Sequence, residues 1–87
     1  MLRVDLHGRF LIPIVEKYEH VMNFTADSDN DIVRVLLFRP KTVINLYENG
    51  KWEKPLAKSK QDYNGKKQSL VYSGLRAGIK YVIKFTF

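Results

Sequence analysis

The sequence predicts an all-β fold: one small antiparallel β-sandwich over residues 1–87, jelly-roll or immunoglobulin-like, with seven or eight strands. Three observations predict it. The C-terminus alternates, with Tyr81, Ile83, Phe85 and Phe87 on one face of an extended chain and Val82, Lys84 and Thr86 on the other. Turn residues recur at close intervals, and two Asn-Gly pairs, Asn49-Gly50 and Asn64-Gly65, are strong hairpin signals. No segment reads unambiguously as a helix, so the pattern is that of packed sheets.

The strands follow in order. Leu2, Val4 and Leu6 alternate with Arg3, Asp5 and His7, and Gly8-Arg9 fits a type II′ turn into Phe10, Leu11 and Ile12. Pro13 has no amide donor and marks an edge or a break. Residues 14–25 fit two patterns. Tyr18, His20, Met22 and Phe24 alternate as in a strand, while Ile14, Val15, Tyr18, Val21 and Met22 fit one helical stripe; the β signals on both sides favour strand. A polar loop at residues 27–31 leads into the branched run from Ile32 to Phe38, which Pro40 stops. Residues 42–48 form the next strand. A type I′ turn at Asn49-Gly50 would place Glu48 opposite Lys51 and Tyr47 opposite Trp52. A weak stretch ends at Tyr63, residues 68–73 form another strand, and a turn flanked by Gly74 and Gly78 leads into the last.

Composition narrows the functional classes. A chain of 87 residues, 45% hydrophobic and 28% charged, is ordinary globular material with room for one core. No run reaches the roughly 18 apolar residues of a membrane helix. Asp5 and Gly8 interrupt the N-terminal stretch where a secretory signal needs an apolar core, which predicts a cytoplasmic start, free or within an assembled particle. The lack of cysteine excludes disulfides, thiolate metal sites and thiol nucleophiles.

Some of these strands carry a resemblance. Asp29-Asn30-Asp31-Ile32-Val33-Arg34-Val35, then Pro40-Lys41-Thr42-Val43-Ile44-Asn45-Leu46-Tyr47, then Leu75-Arg76-Ala77-Gly78-Ile79-Lys80-Tyr81-Val82-Ile83 resemble successive strands of the bacterial pre-peptidase C-terminal domain. That family includes clostridial collagen-binding modules, and the resemblance covers about residues 24–87. It implies a jelly-roll-like sandwich without catalytic residues, calcium ligands near the acidic loop and a surface-binding role. Val33 stands where the family has an aromatic residue, and the chain is shorter than usual.

The residues themselves offer three candidate sites. Asp27, Asp29 and Asp31, interleaved with Ser28 and Asn30, supply hard oxygen ligands of the kind calcium takes; the EF-hand spacing fails, and an ordinary Asx-rich turn competes with this reading. Residues 51–67 hold six lysines against Glu53 and Asp62, a local balance of +4 within a net charge of +6. Trp52, Lys54, Lys58, Lys60, Tyr63, Lys66 and Lys67 in that stretch form a candidate binding surface. It would suit an acidic protein partner or the backbone and bases of a nucleic acid, while lysines guarding a sheet edge are the plainer explanation. If Val33, Val35 and Leu37 face the core, Leu36 and Phe38 face away and need a cover. The N-terminal segment folded across them, or another subunit, would supply it.

Chemistry is not indicated. His7 and His20 lack a local metal spacing, and Ser28, Ser59, Ser69 and Ser73 lack a nucleophile elbow. The sequence therefore points to a non-enzymatic protein-binding or structural module with a protein partner or a homo-oligomer, no small-molecule substrate and no membrane. Its compactness and lack of cysteine are in the style of viral or phage accessory proteins that decorate a particle or bind a host factor. No motif carries that assignment. The alternatives are a basic nucleic-acid-binding protein and a calcium-steadied surface-binding module.

Overall fold

The computed structural model describes residues 3–6, 9–11, 19–37, 42–61 and 68–86. Among them there is no helix, and nine strands form two antiparallel sheets: β1 (Arg3–Leu6), β2 (Arg9–Leu11), β3 (Glu19–Thr25), β4 (Asp31–Leu37), β5 (Val43–Glu48), β6 (Ala57–Lys58), β7 (Lys60–Gln61), β8 (Gln68–Leu75) and β9 (Lys80–Thr86). One sheet runs β2-β1-β4-β8-β7, the other β3-β9-β5-β6. Without the two-residue strands β6 and β7, these are sheets of four and three strands, the predicted small sandwich. The chain changes sheet at β2→β3, β3→β4, β4→β5, β6→β7 and β8→β9, so most ladder neighbours are distant in sequence. That interleaving is closer to a jelly roll than to an immunoglobulin domain, where more neighbours are consecutive.

The two inner faces make one core. Leu6, Val33, Val35, Leu70 and Leu75 come from the larger sheet, and Phe24, Ile44, Leu46, Tyr81, Ile83 and Phe85 from the smaller. Val33, Val35, Ile44, Leu46, Ile83 and Phe85 are wholly buried, so the alternation read in the C-terminal strand and in β4 is the packing that forms. Phe24 and Tyr81 are register partners with stacked rings 5.5 Å apart. Tyr81 also has a polar handle. Its hydroxyl accepts the Arg76 backbone N–H at 2.8 Å, tying the start of β9 to the turn before it, an arrangement similar to the tyrosine corner of other sandwiches.

Residues 19–25 of the ambiguous stretch form a strand; residues 14–18 lie outside the described residues. Three turn expectations change. Leu6 pairs with Arg9, so Arg9 belongs to β2 and not to the turn. Asn49-Gly50 does not close a two-residue hairpin. Gly50 has φ 86° but Asn49 is not in the positive region, and Lys51 N–H donates to Glu48 C=O at 3.0 Å, the φ pattern of a type II turn. Type II turns splay flanking strands instead of following their twist. Pairing with β5 accordingly resumes only near Leu56, beyond Pro55, whose ring lacks a ladder donor. Gly74 lies inside β8 and not in the turn. The register with β4 shifts there, Ser73 and Gly74 between Leu75 and Tyr72 facing the single Ile32 between Asp31 and Val33, a bulge at which the Tyr72 ring crosses close to Gly74.

The N-terminal strands extend the larger sheet edge to edge, β1 beside β4, and the rest of the segment expected to fold across its face, residues 12–18, lies outside the described residues. Leu36 is in register with Arg3 and Ser69, whereas Phe38 lies outside the described residues. At Ser59 the chain turns the corner between sheets. Its N–H donates to Ile44 C=O at 2.9 Å, and its hydroxyl accepts the Ile44 N–H at 3.0 Å.

Candidate binding face

The outer face of the four-stranded sheet gathers cations around two aromatic rings. Alternation turns Tyr47 of β5 and Val82 and Lys84 of β9 outward, because Leu46, Ile83 and Phe85 turn inward. Val82 is nevertheless only 2% exposed and stands outside the core cluster: it is buried on the outer face, in register between Asn23 and Tyr47. Beyond the turn, Trp52 returns to this face and meets Tyr47 edge to face, ring centres 5.6 Å apart at 68°. The Lys84 ammonium lies 4.6 Å from the centre of the Trp52 ring and 5.2 Å from that of Tyr47. Both distances are within cation–π range. Trp52 remains 46% exposed.

The surroundings are basic. Lys84, Asn45 and Lys58 form one cross-strand row; Lys80 is exposed two residues before Val82; Lys51 and Lys54 flank Trp52 in the loop. Glu48 is engaged by Lys51 at 2.8 Å and by Arg76 at 3.8 Å. The Lys51 bond and the two positive charges hold its carboxyl below the ordinary value of 4.5. It therefore stays ionised as a bracket between the two turns.

This arrangement regroups the predicted stretch. Trp52, Lys54 and Lys58 sit at or beside the smaller sheet. Lys60 follows the corner into β7 of the larger sheet, and Tyr63, Lys66 and Lys67 lie outside the described residues. Tyr47, Lys80 and Lys84 were not among the predicted residues. The only available signal for Lys84 was its outward phase in β9, which says nothing about the ring it meets.

The acidic loop has another occupation. Asp29 accepts the Ala77 N–H at 3.0 Å, while Gly78 N–H donates to Ala26 C=O and Ala26 N–H to Ile79 C=O, clasping the loop to the β8–β9 turn. Asp31 is 5% exposed and accepts the Ile32 N–H at 2.9 Å; Asn30 takes φ 57°, as turn residues do. Asp27 is exposed. An open recess of about 550 Å³ adjoins the loop, but Arg34 lines it together with Asp5, Asp29 and Asp31. Among the described residues no three acidic or histidine side chains converge as a metal site requires. Asp27, Asp29 and Asp31 are thus not gathered round one centre.

No family model, no curated protein and no solved structure matches the chain. The resemblance to the pre-peptidase C-terminal domain rests on its sequence motifs. No helix among the described residues is long and apolar enough to cross a membrane.

Proposed function

We propose that this protein is a non-catalytic interaction or assembly module that docks an acidic protein surface on the outer face of its four-stranded sheet. Trp52 carries the reading: a half-exposed indole, braced by Tyr47 and capped by Lys84. Indoles so placed act as anchors at protein interfaces, and surrounding lysines steer an acidic partner toward them. A nucleic acid is the second reading, favoured by the same mix of lysine and aromatic side chains. The geometry favours protein, because rings meeting edge to face do not offer parallel platforms for successive bases. Arginine, which leads in reading base edges, is absent from residues 51–67. Such a module suits a viral or phage accessory protein that decorates a particle or holds a host factor.

The single tryptophan supplies the test. Its emission is titrated with poly-L-glutamate and with a mixed-sequence oligonucleotide, at low and high salt. A saturating response to the polypeptide, weakened severalfold in Lys84→Ala and Lys58→Glu, is expected. A response to the oligonucleotide alone, falling steeply with salt, transfers the face to nucleic acid; silence toward both polyanions overturns the reading.

A further inference from the structure

Among the described residues, three of the four sheet edges end on short strands, and the fourth does not. β2 has three residues, β6 and β7 have two each, and β3 has seven. Very short edge strands are a common protection against the addition of further strands. β3 lacks that protection: it contains no proline, and from Val21 to Thr25 no charge.

Backbone phase fixes what β3 offers. Ala26 N–H donates to Ile79 C=O in continuation of the β3–β9 register, so the even-numbered residues of β3 direct their backbone groups toward β9. Glu19, Val21, Asn23 and Thr25 turn theirs to the opposite edge, where no strand of the described residues pairs. Backbone donors and acceptors at such an edge are a template for another strand.

We propose that β3 is a homodimerisation edge: two copies pair β3 with β3, antiparallel, about a twofold axis at Met22. Pairs that exchange both backbone bonds must join residues of the same phase. A twofold axis at Met22 sets Glu19 against the second copy's Thr25 and Val21 against its Asn23, all of the outward phase, and symmetry repeats both pairs. Charge also matches. Thr25 is in register with Lys80 of β9, so Glu19 of each copy falls in the row of the other's Lys80. An unrelated strand would have to supply that complementarity, whereas a second copy supplies it twice. The two four-stranded sheets become one of eight strands and carry two Trp52 clusters on one continuous face, an arrangement suited to a repetitive partner.

This inference rests on the backbone of β3 and not on the aromatic cluster, so either can fail alone. Sedimentation velocity of the full chain tests it. The wild type is expected at twice 10.2 kDa. Asn23→Pro removes an edge donor while sparing the β9 ladder, and is expected to sediment as a monomer with an unchanged β-sheet spectrum. Glu19→Lys should weaken the dimer about tenfold, and adding Lys80→Glu should restore it. The proposal is overturned by a wild-type monomer at roughly 0.3 mM, where a micromolar dimer would be saturated. It is equally overturned by a dimer that persists in folded Asn23→Pro. Should that variant not fold, the charge pair decides: a dimer indifferent to Glu19→Lys ends the proposal.

Discussion

The two faces of the four-stranded sheet are built from the same strands and do opposite things. Inward, Ile44, Leu46, Ile83 and Phe85 are wholly buried in the apolar core that the two sheets share. Outward, one strand position away, Tyr47, Val82 and Lys84 are assembled with Trp52 into a cluster that stays half in water. Val82 shows the difference most sharply. It is as buried as a core residue although no second sheet of the described residues covers it. Alternation decides which residues leave the core, but outward does not mean solvated, because long side chains and a loop can roof an outer position.

Mutations on the two faces should differ most in their effect on stability. Phe85→Ala empties an inner-face site and is expected to cost about 3–5 kcal/mol in urea unfolding, against no more than about 0.5 kcal/mol for Val43→Ala on the outer face. A large cost at Val43, which is 49% exposed, would mean that the outer face is covered in solution. Tyr81→Phe keeps the inner ring and deletes its one bond to the turn. A loss of about 1 kcal/mol, or roughly 4–8 °C in Tm for a domain of this size, is expected.

The smallest effect lies at the rim, where Glu48 joins the two turns. Its folded-state pKa lies below the ordinary value, so its contribution is fully present above about pH 4.5 and is lost as pH falls through the folded value. Thermal melts between about pH 5 and 3 should decline less steeply in Glu48→Gln than in the wild type. Identical slopes would show that the Lys51 contact is too mobile to hold the carboxylate.

Much of the fold was legible because β-structure writes its faces at period two. Tyr81, Ile83 and Phe85 identified the closing strand and its inner face, and Val33 and Val35 did the same for β4. Residues 19–25 were legible only by context, since Met22 fits either period and Val21 fits the helical stripe. The site was half legible. Trp52 beside Tyr47, and Glu48 beside Lys51, could be paired across Asn49-Gly50, and both contacts form, although the turn is not the hairpin that suggested them. Lys58 and Lys60, two residues apart in sequence, end on different sheets because Ser59 turns the corner between them. Lys84 comes from a strand more than thirty residues beyond Trp52, and no local pattern joins the two.

The period-two faces, room for a single core, the absence of thiol chemistry and the net positive charge all follow from side-chain type and spacing along the chain. Which strands became neighbours, which lysine met the indole, and which edge of the described sheets stayed long were settled in three dimensions. These depend on five sheet-to-sheet crossings that bring distant segments together, and the contacts joining those segments exist only once the two sheets have closed on their common core.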